Sequence, residues 1–249
     1  TDFANKMIKT PGLSMLKINI SLDGPEKTHD KIRNVSGCYE NAMKTIKALK
    51  AIKQNSKNFQ VSVATVVSQD NLQDMETFIT KLFQLNLPLI ISMVRGSEYN
   101  TYGISSELKQ DMNPKDSKFL TSDADLDKLK EILDTNANIY GVKNWNIFQQ
   151  IKSDLFIDIV KHRKKRVDCL AGHIEGVIFN NGDVALCEYT KPVGNLRVVD
   201  MDFGKVWWSD AANRMRKHTK NCVCTHSCNL VSNMQYDPNL ITKIIRNYG

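Results

Sequence analysis

Several features are missing from this 249-residue sequence, and each absence narrows its class. No apolar run is long enough to cross a bilayer, and no stretch reads as a secretory signal. A membrane protein and an oxidising compartment are therefore not expected, and a cytoplasmic setting is. Internal repeats and low-complexity tracts are absent too. No basic strand studded with aromatics occurs, and the lysines are scattered over helical patterns. The net charge of +7 and pI of about 9.0 thus do not by themselves imply nucleic acid. The one dense basic run, Lys161 to Arg166, closes a helical pattern, where cations suit the helix dipole; it reads as a solvated helix end.

The cysteines are present and unevenly placed. Five of the six lie in the last third. Cys169 comes first. Gly182 follows, then Cys187 after four intervening residues, and Cys222-Val-Cys224-Thr-His226-Ser-Cys228 closes the group. Between the first two, Val177-Ile178-Phe179 runs through Asn180-Asn181-Gly182-Asp183 into Val184-Ala185-Leu186. Asn-Gly between apolar runs predicts a hairpin whose two turn residues both take positive φ, and it would return Cys187 toward Cys169. A further turn is expected at Gly194-Asn195. Thiolates are soft metal ligands. Disulfides lack the compartment. A structural zinc site would favour two Cys-x2-4-Cys knuckles, which this spacing does not supply. An iron–sulfur cluster suits all-cysteine ligation with variable spacing. At the level of spacing these readings stay open.

The first half alternates strand and helix. Leu16, Ile18, Ile20 and Leu22 alternate with polar residues, a strand pattern ended by Asp23-Gly24-Pro25. Tyr39, Met43, Ile46, Leu49 and Ile52 recur at helical spacing. Phe59 to Val67 is β-branched and strand-like. Asp70-x-x-Gln73 reads as a capping box before a helix with Leu72, Met75, Phe78, Ile79, Leu82 and Phe83 on its apolar face. Leu87 to Val94, apolar nearly throughout, predicts a strand buried on both faces. Strands and helices in this alternation imply a parallel sheet, with ligands at the carboxyl ends of its strands. That end holds Ser21, Asp23, Thr65, Ser68 and Met93-Val94-Arg95. Short polar residues there also serve turns. Farther on, Gly96 to Asn100 and Asp111 to Pro114 read as loop. Helical patterns follow around Leu126 to Leu133 and Trp145 to Ile159. Trp207-Trp208 reads as core, and Cys38 as a small packed residue.

Two sets of residues carry a resemblance. Asn19-Ile20-Ser21-Leu22-Asp23-Gly24-Pro25, with His29-Asp30, Ile32-Arg33 and Gly37-Cys38-Tyr39, resembles the fourth strand and helix of radical S-adenosylmethionine (radical SAM) enzymes; Val66-Val67 and Asn71 resemble the fifth unit. Cys169…Gly182-x4-Cys187…Cys222-x-Cys224-x3-Cys228 resembles that superfamily's auxiliary cluster domain, called SPASM or, when shorter, twitch. The resemblance implies an α/β fold. Residues 1–160 would be the C-terminal half of a (β/α)6 partial barrel (strands four to six), and residues 161–249 a small cysteine-rich α+β domain of hairpin and helix.

It further implies a radical SAM oxidoreductase or modifying enzyme that reductively cleaves S-adenosylmethionine to a 5′-deoxyadenosyl radical. Ser21 and Asp23 would contact the cofactor's ribose, and Arg33 its methionine carboxylate, for which a guanidinium is the right fork. An auxiliary [4Fe–4S] cluster would take four ligands from Cys169, Cys187, Cys222, Cys224 and Cys228, with His226 as an outer-shell donor. The superfamily's catalytic Cys-x3-Cys-x2-Cys is absent here. The chain is therefore expected to be a fragment, with about a hundred barrel residues and a second [4Fe–4S] cluster ahead of it, and inactive alone. Expected partners are a peptide, protein or small-molecule substrate and an electron donor, without nucleic acid or membrane. The alternative is a free-standing iron–sulfur or zinc module for electron relay or protein interaction.

Overall fold

The computed structural model describes residues 2–94, 96, 101–110, 118–120, 122–140 and 147–242. Arg95, Ser97 to Asn100, Asp111 to Pro114 and Trp145, all read from the sequence above, lie outside the described residues. The chain divides into two compact units. One comprises Thr1–Val94 and Lys118–Ser153, the other Arg95–Ser117 and Asp154–Gly249.

The first unit begins with α1 (Asp2–Met7), β1 (Leu16–Ser21), α2 (Glu26–Arg33), α3 (Cys38–Gln54) and β2 (Phe59–Val67). A 3-10 turn (Leu72–Asp74), α4 (Met75–Gln84) and β3 (Leu89–Met93) follow. After these come α5 (Asp123–Tyr140) and the opening turns of α6 (Ile147–His162). The three strands form one parallel sheet in the order β1-β2-β3, registered Leu16↔Phe59 and Val63↔Leu89. Right-handed crossovers between parallel neighbours put their helices on the same side. Accordingly Phe59, Val61, Val63, Val67, Leu89, Ile91 and Met93 are buried, as are Ile46 and Leu49 of α3 and Met75, Phe78, Ile79, Leu82 and Phe83 of α4. Each large apolar side chain so covered contributes about 1.5–3 kcal/mol.

The opposite face is different. Lys17, Asn19 and Ser21 of β1 and Gln60 of β2 are exposed, and Ser62, Ala64, Ile90 and Ser92 are half-buried. The expectation of a third strand buried on both faces is therefore corrected. β3 is fully buried on its alternate residues only, with Ile90 and Ser92 half-buried.

The expected capping box is corrected as well. Asp70 accepts from Lys118 Nζ at 2.6 Å, and the buried Asn71 takes the organising role. Its Oδ1 accepts from the Ser68 amide (2.8 Å), while its Nδ2 donates to the carbonyls of Asp23 (2.6 Å) and Val66 (2.8 Å). One buried amide thus ties the loops after β1 and β2 together, satisfying backbone groups that burial would otherwise penalise.

The second unit contains β4 (Thr101–Tyr102), β5 (Val177–Ile178), β6 (Asp183–Ala185) and β7 (Gly194–Asn195). Then come α7 (Phe203–Trp207), α8 (Asp210–Thr219), β8 (Val223–Cys224) and α9 (Ser227–Gln235). β5, β6 and β7 form an antiparallel sheet in that order, and β4 pairs antiparallel with β8. Gly194-Asn195 is thus a strand and not a turn. The hairpin turn also differs from the two-residue kind. The Gly182 amide donates to the Phe179 carbonyl (2.9 Å), the Phe179 amide donates to the Asp183 carbonyl (2.8 Å), and only Gly182 has positive φ, +90°. This is the three-residue loop in which a glycine bulge follows an ordinary turn.

Val184, Leu186, Leu196, Val206, Trp207, Ala212 and Met215 form an apolar core. Asp202 and Ser209 cap α7 and α8 by accepting from the amides of Lys205 and Ala212. Trp207 belongs to this core, but Trp208 is 69% exposed, which corrects the reading of both as buried. Among the described residues no helix is long and apolar enough to cross a membrane.

Candidate functional site

Cysteines Cys169, Cys187, Cys222 and Cys224 are brought together. Cys169 packs against Cys222, Cys224 and Ile104 on one side and against Cys187, Ala171 and Tyr189 on the other. Cys228 is exposed in the first turn of α9, and Cys38 belongs to the other unit, half-buried at the start of α3. All six are free.

The local backbone repeats itself at three of the four grouped sulfurs. The Tyr189 amide donates to Cys187 Sγ (3.5 Å) and the His226 amide to Cys224 Sγ (3.2 Å). The Ala171 amide likewise stabilises the charged form of Cys169. In each case the donor is two residues beyond the cysteine. An N–H aimed at its own cysteine's sulfur favours thiolate, the form that binds metal.

Burial acts the other way. It pushes the Cys169 thiol up to about 11, with the neighbouring Cys224 adding to the shift. It also raises Cys187 strongly. Cys224 is raised by the Cys222 side chain and by burial. These are buried sulfurs that crowd one another's charge and hold amides ready for thiolate. Thiolates held at Cys169, Cys187 and Cys224 would be relieved of this conflict by the positive charge that a cluster's irons would bring.

The donor set fits an iron–sulfur cluster, and Cys169, Cys187, Cys222 and Cys224 are the grouped thiols that could hold one. Among the described residues no three His, Cys, Asp or Glu side chains are grouped so as to hold one metal ion. A cluster of several irons asks for sulfurs farther apart than one ion does.

The surroundings explain how distant cysteines meet. A tight turn seats Cys187: its amide donates to Thr190 Oγ1 (3.2 Å) and its carbonyl accepts from the Thr190 amide (3.0 Å). The pairing of Thr101 with Cys224 fixes the second group. Gly103 makes that pairing possible, since φ is +80° and a Cβ there would stand 2.5 Å from the Asn221 carbonyl oxygen. Asn233 Oδ1 accepts from the Leu170 amide (2.9 Å) beside Cys169.

His226 is committed to its neighbours. Its Nε2 faces Glu188 Oε2 at 2.9 Å, its Nδ1 faces Asn229 Oδ1, and its ring meets Tyr189 edge to face at 4.6 Å. The sequence reading missed Glu175, Asn229, Gly103 and Thr190. Of these only Gly103 carried a local signal, a glycine beside a short β-prone pair.

In the other unit, Ser21 ends β1 on the open polar face and is exposed. Asp23 is buried, and both its carboxylate oxygens are engaged. Oδ1 accepts from the Val66 amide (2.9 Å), and Oδ2 lies 2.5 Å from an Arg33 guanidinium nitrogen. Arg33 is 37% exposed, so donors remain for a further anion. His29 Nδ1 accepts from the Asp23 amide (3.0 Å), which assigns the proton to Nε2, a buried atom without a partner among the described residues. Burial lowers His29, keeping it neutral.

Asp30 accepts from the amides of Gly37 (2.6 Å) and Tyr39 (2.8 Å), holding the entry to α3; the Tyr39 amide in particular keeps its carboxyl below the usual value. Thr65 donates to the Leu22 carbonyl (2.8 Å), and Ser68 is buried. Ser21, Asp23 and Arg33 therefore lie at the carboxyl end of β1 and in the segment after it.

Comparison with known proteins agrees with the cysteine geometry. Nothing among curated proteins matches the chain. Residues 169–229 match the family model SPASM, described as an iron–sulfur cluster-binding domain, and such domains are typical of radical SAM enzymes.

Proposed function

We propose that this chain is part of a radical SAM enzyme, with residues 1–160 contributing the second half of a (β/α)6 barrel and residues 161–249 an auxiliary [4Fe–4S] domain. The observation that carries the reading is the recurrent amide-to-sulfur geometry at Cys169, Cys187 and Cys224 inside the segment that matches the cluster-binding family. Cys222 is the fourth ligand, because it is buried and packs with Cys169 and Cys224 while Cys228 is exposed. When bound, the cluster supplies one-electron chemistry or a substrate anchor. The chain's own part is to present four thiolates, exclude water from them and fix their amides.

The sheet supports the enzyme half of the reading. One face is buried, and the other carries Asn19, Ser21, Ser62 and Ser92 among Lys17, Gln60, Ala64, Val66 and Ile90, a mixed face that suits strands facing the interior of a barrel. β1 has a neighbour on one edge only among the described residues, so further strands can extend the sheet. On this reading Ser21 meets S-adenosylmethionine from the open face, and the free donors of Arg33 take its carboxylate. Asp23 orients Arg33 and braces the loop. Cleavage of the sulfonium would need the electron that a Cys-x3-Cys-x2-Cys cluster, outside these residues, would supply. The substrate is a peptide, a protein or a small molecule, and an electron donor serves the cluster.

Anaerobic reconstitution of the chain with iron and sulfide tests the cluster half. Cys187→Ser should lose most of the bound iron and Cys228→Ser should keep it; unchanged iron in Cys187→Ser overturns the ligand assignment. The second reading, a free-standing metal module, draws on the family match being confined to residues 169–229. Calorimetric titration with S-adenosylmethionine separates the two: binding that Arg33→Ala weakens at least tenfold supports the enzyme, and no binding supports the module.

A further inference from the structure

We propose that Glu175 is a positioning residue that lowers the reduction potential of the auxiliary cluster, its carboxylate standing as a fixed negative charge behind the Cys187 sulfur. The inference rests on the reading that Cys169, Cys187, Cys222 and Cys224 hold an iron–sulfur cluster. Glu175 closes the loop that follows Cys169: its carbonyl accepts from the Gly172 amide (2.8 Å), and Ala171 and Glu175 form a β-bridge. Both carboxylate oxygens are held from α9, Oε1 by Asn229 Nδ2 and Oε2 by Ser232 Oγ at 2.7 Å.

Both donors are neutral, and among the described residues no cation pairs with this carboxylate. The Asn229 amide can only donate to Oε1, and the Ser232 hydroxyl donates to Oε2, an arrangement that suits a carboxylate. Glu188, the neighbouring carboxylate, differs in facing His226 Nε2 at 2.9 Å. Asn229 is the link to the sulfur. Its orientation is fixed by Glu175, and its Oδ1 stands 3.6 Å from Cys187 Sγ.

The electrostatic consequence is simple. Adding one electron adds one negative charge among these sulfurs, and a nearby uncompensated anion opposes it in a low-dielectric site. Glu175→Gln keeps the shape and an acceptor oxygen while removing the charge. The full chain, reconstituted anaerobically with iron and sulfide, would be titrated with dithionite through redox mediators and followed by electron paramagnetic resonance.

At the wild-type midpoint potential, Glu175→Gln should raise the reduced-to-oxidised ratio about threefold to tenfold, a shift of about 28 to 59 mV for one electron. An unmoved or lowered potential with iron content intact overturns the proposal. Should Glu175→Gln fail to load iron, Ser232→Ala answers the same question. It leaves the charge in place with one donor fewer, so the ratio should fall, and no fall overturns the proposal. Wild-type chain that takes up no iron overturns the cluster reading itself; loaded protein whose potential ignores both substitutions overturns the Glu175 proposal alone.

Discussion

The two units hold themselves together by different means. In the first, a parallel sheet with long strands buries branched and aromatic side chains under two amphipathic helices, and polar groups are used to tie loops. In the second, the strands among the described residues are two or three residues long, an apolar core of seven buried residues gathers around Trp207, further apolar side chains such as Ile157, Val160, Leu230 and Met234 are buried elsewhere, and the grouped thiols lie beside a polar network. Short strands give few ladder bonds, and thiols packed against one another give little burial energy. A unit built this way draws folding free energy from what its thiolates bind. The first unit has no such dependence.

Iron removal should break this contrast most sharply. With Cys224→Ser, or with chelator under reducing conditions, amides of β8, the Cys187 turn and the loop after Cys169 should lose most of their hydrogen-exchange protection. Those of β2 and β3 should keep theirs. Equal loss in both units would mean that the cluster site does not carry its own unit. The converse substitution comes next. Phe78→Ala, at a side chain 1% exposed, should destabilise the first unit by about 3–5 kcal/mol in denaturant unfolding and leave bound iron unchanged.

Asp23→Ala should have a smaller effect, about 2 kcal/mol, because it orphans the Val66 amide and releases Arg33. Its signature is a stability loss confined to the first unit. Gly182→Ala should cost the second unit about 1–2 kcal/mol, since φ of +90° strains any L side chain and the new Cβ would press on Arg197 and Asn195.

The smallest effect is one of pH. The hydrogen bond from Arg166 holds the Asp158 carboxyl below its ordinary value of 3.8. A lowered folded value stabilises the fold above the unfolded value, and that stabilisation is lost as pH falls through the lowered one. Asp158→Asn should therefore lower stability slightly at neutral pH, the pair being partly exposed, and flatten the acid limb of the unfolding curve below pH 3.8, where the wild type loses this contribution and the variant has none to lose.

Much of the first unit was legible in the chain. Alternation gave β1, helical spacing gave α3 and α4, and β-branched runs gave β2 and β3, because burial on one face leaves a periodic mark within a few residues. The hairpin was legible for the same local reason, although its turn was not. Asn-Gly fits a two-residue turn, but the strands pair one residue out from it and leave Gly182 alone at positive φ. The capping box failed because Asp70 found Lys118, 48 residues away, and Asn71 reached the carbonyls of another loop. Trp208 looked like its neighbour Trp207, and only the path of the chain at the end of α7 turns one inward and the other out.

The chain on its own thus determined the residue types and the local elements: which stretches alternate, where thiols are concentrated, and which polar residues end the strands. The tertiary structure alone decided which thiols share an interior, that Glu175 stands behind Cys187 with Asn229 between them, and that Asp23 is engaged by Arg33 and Val66. The physical reason is separation. Glu175 and Asn229 are 54 residues apart and Asp23 and Val66 are 43 apart. Such pairs come together only through strand pairing and helix packing, and no periodicity within a short window records them.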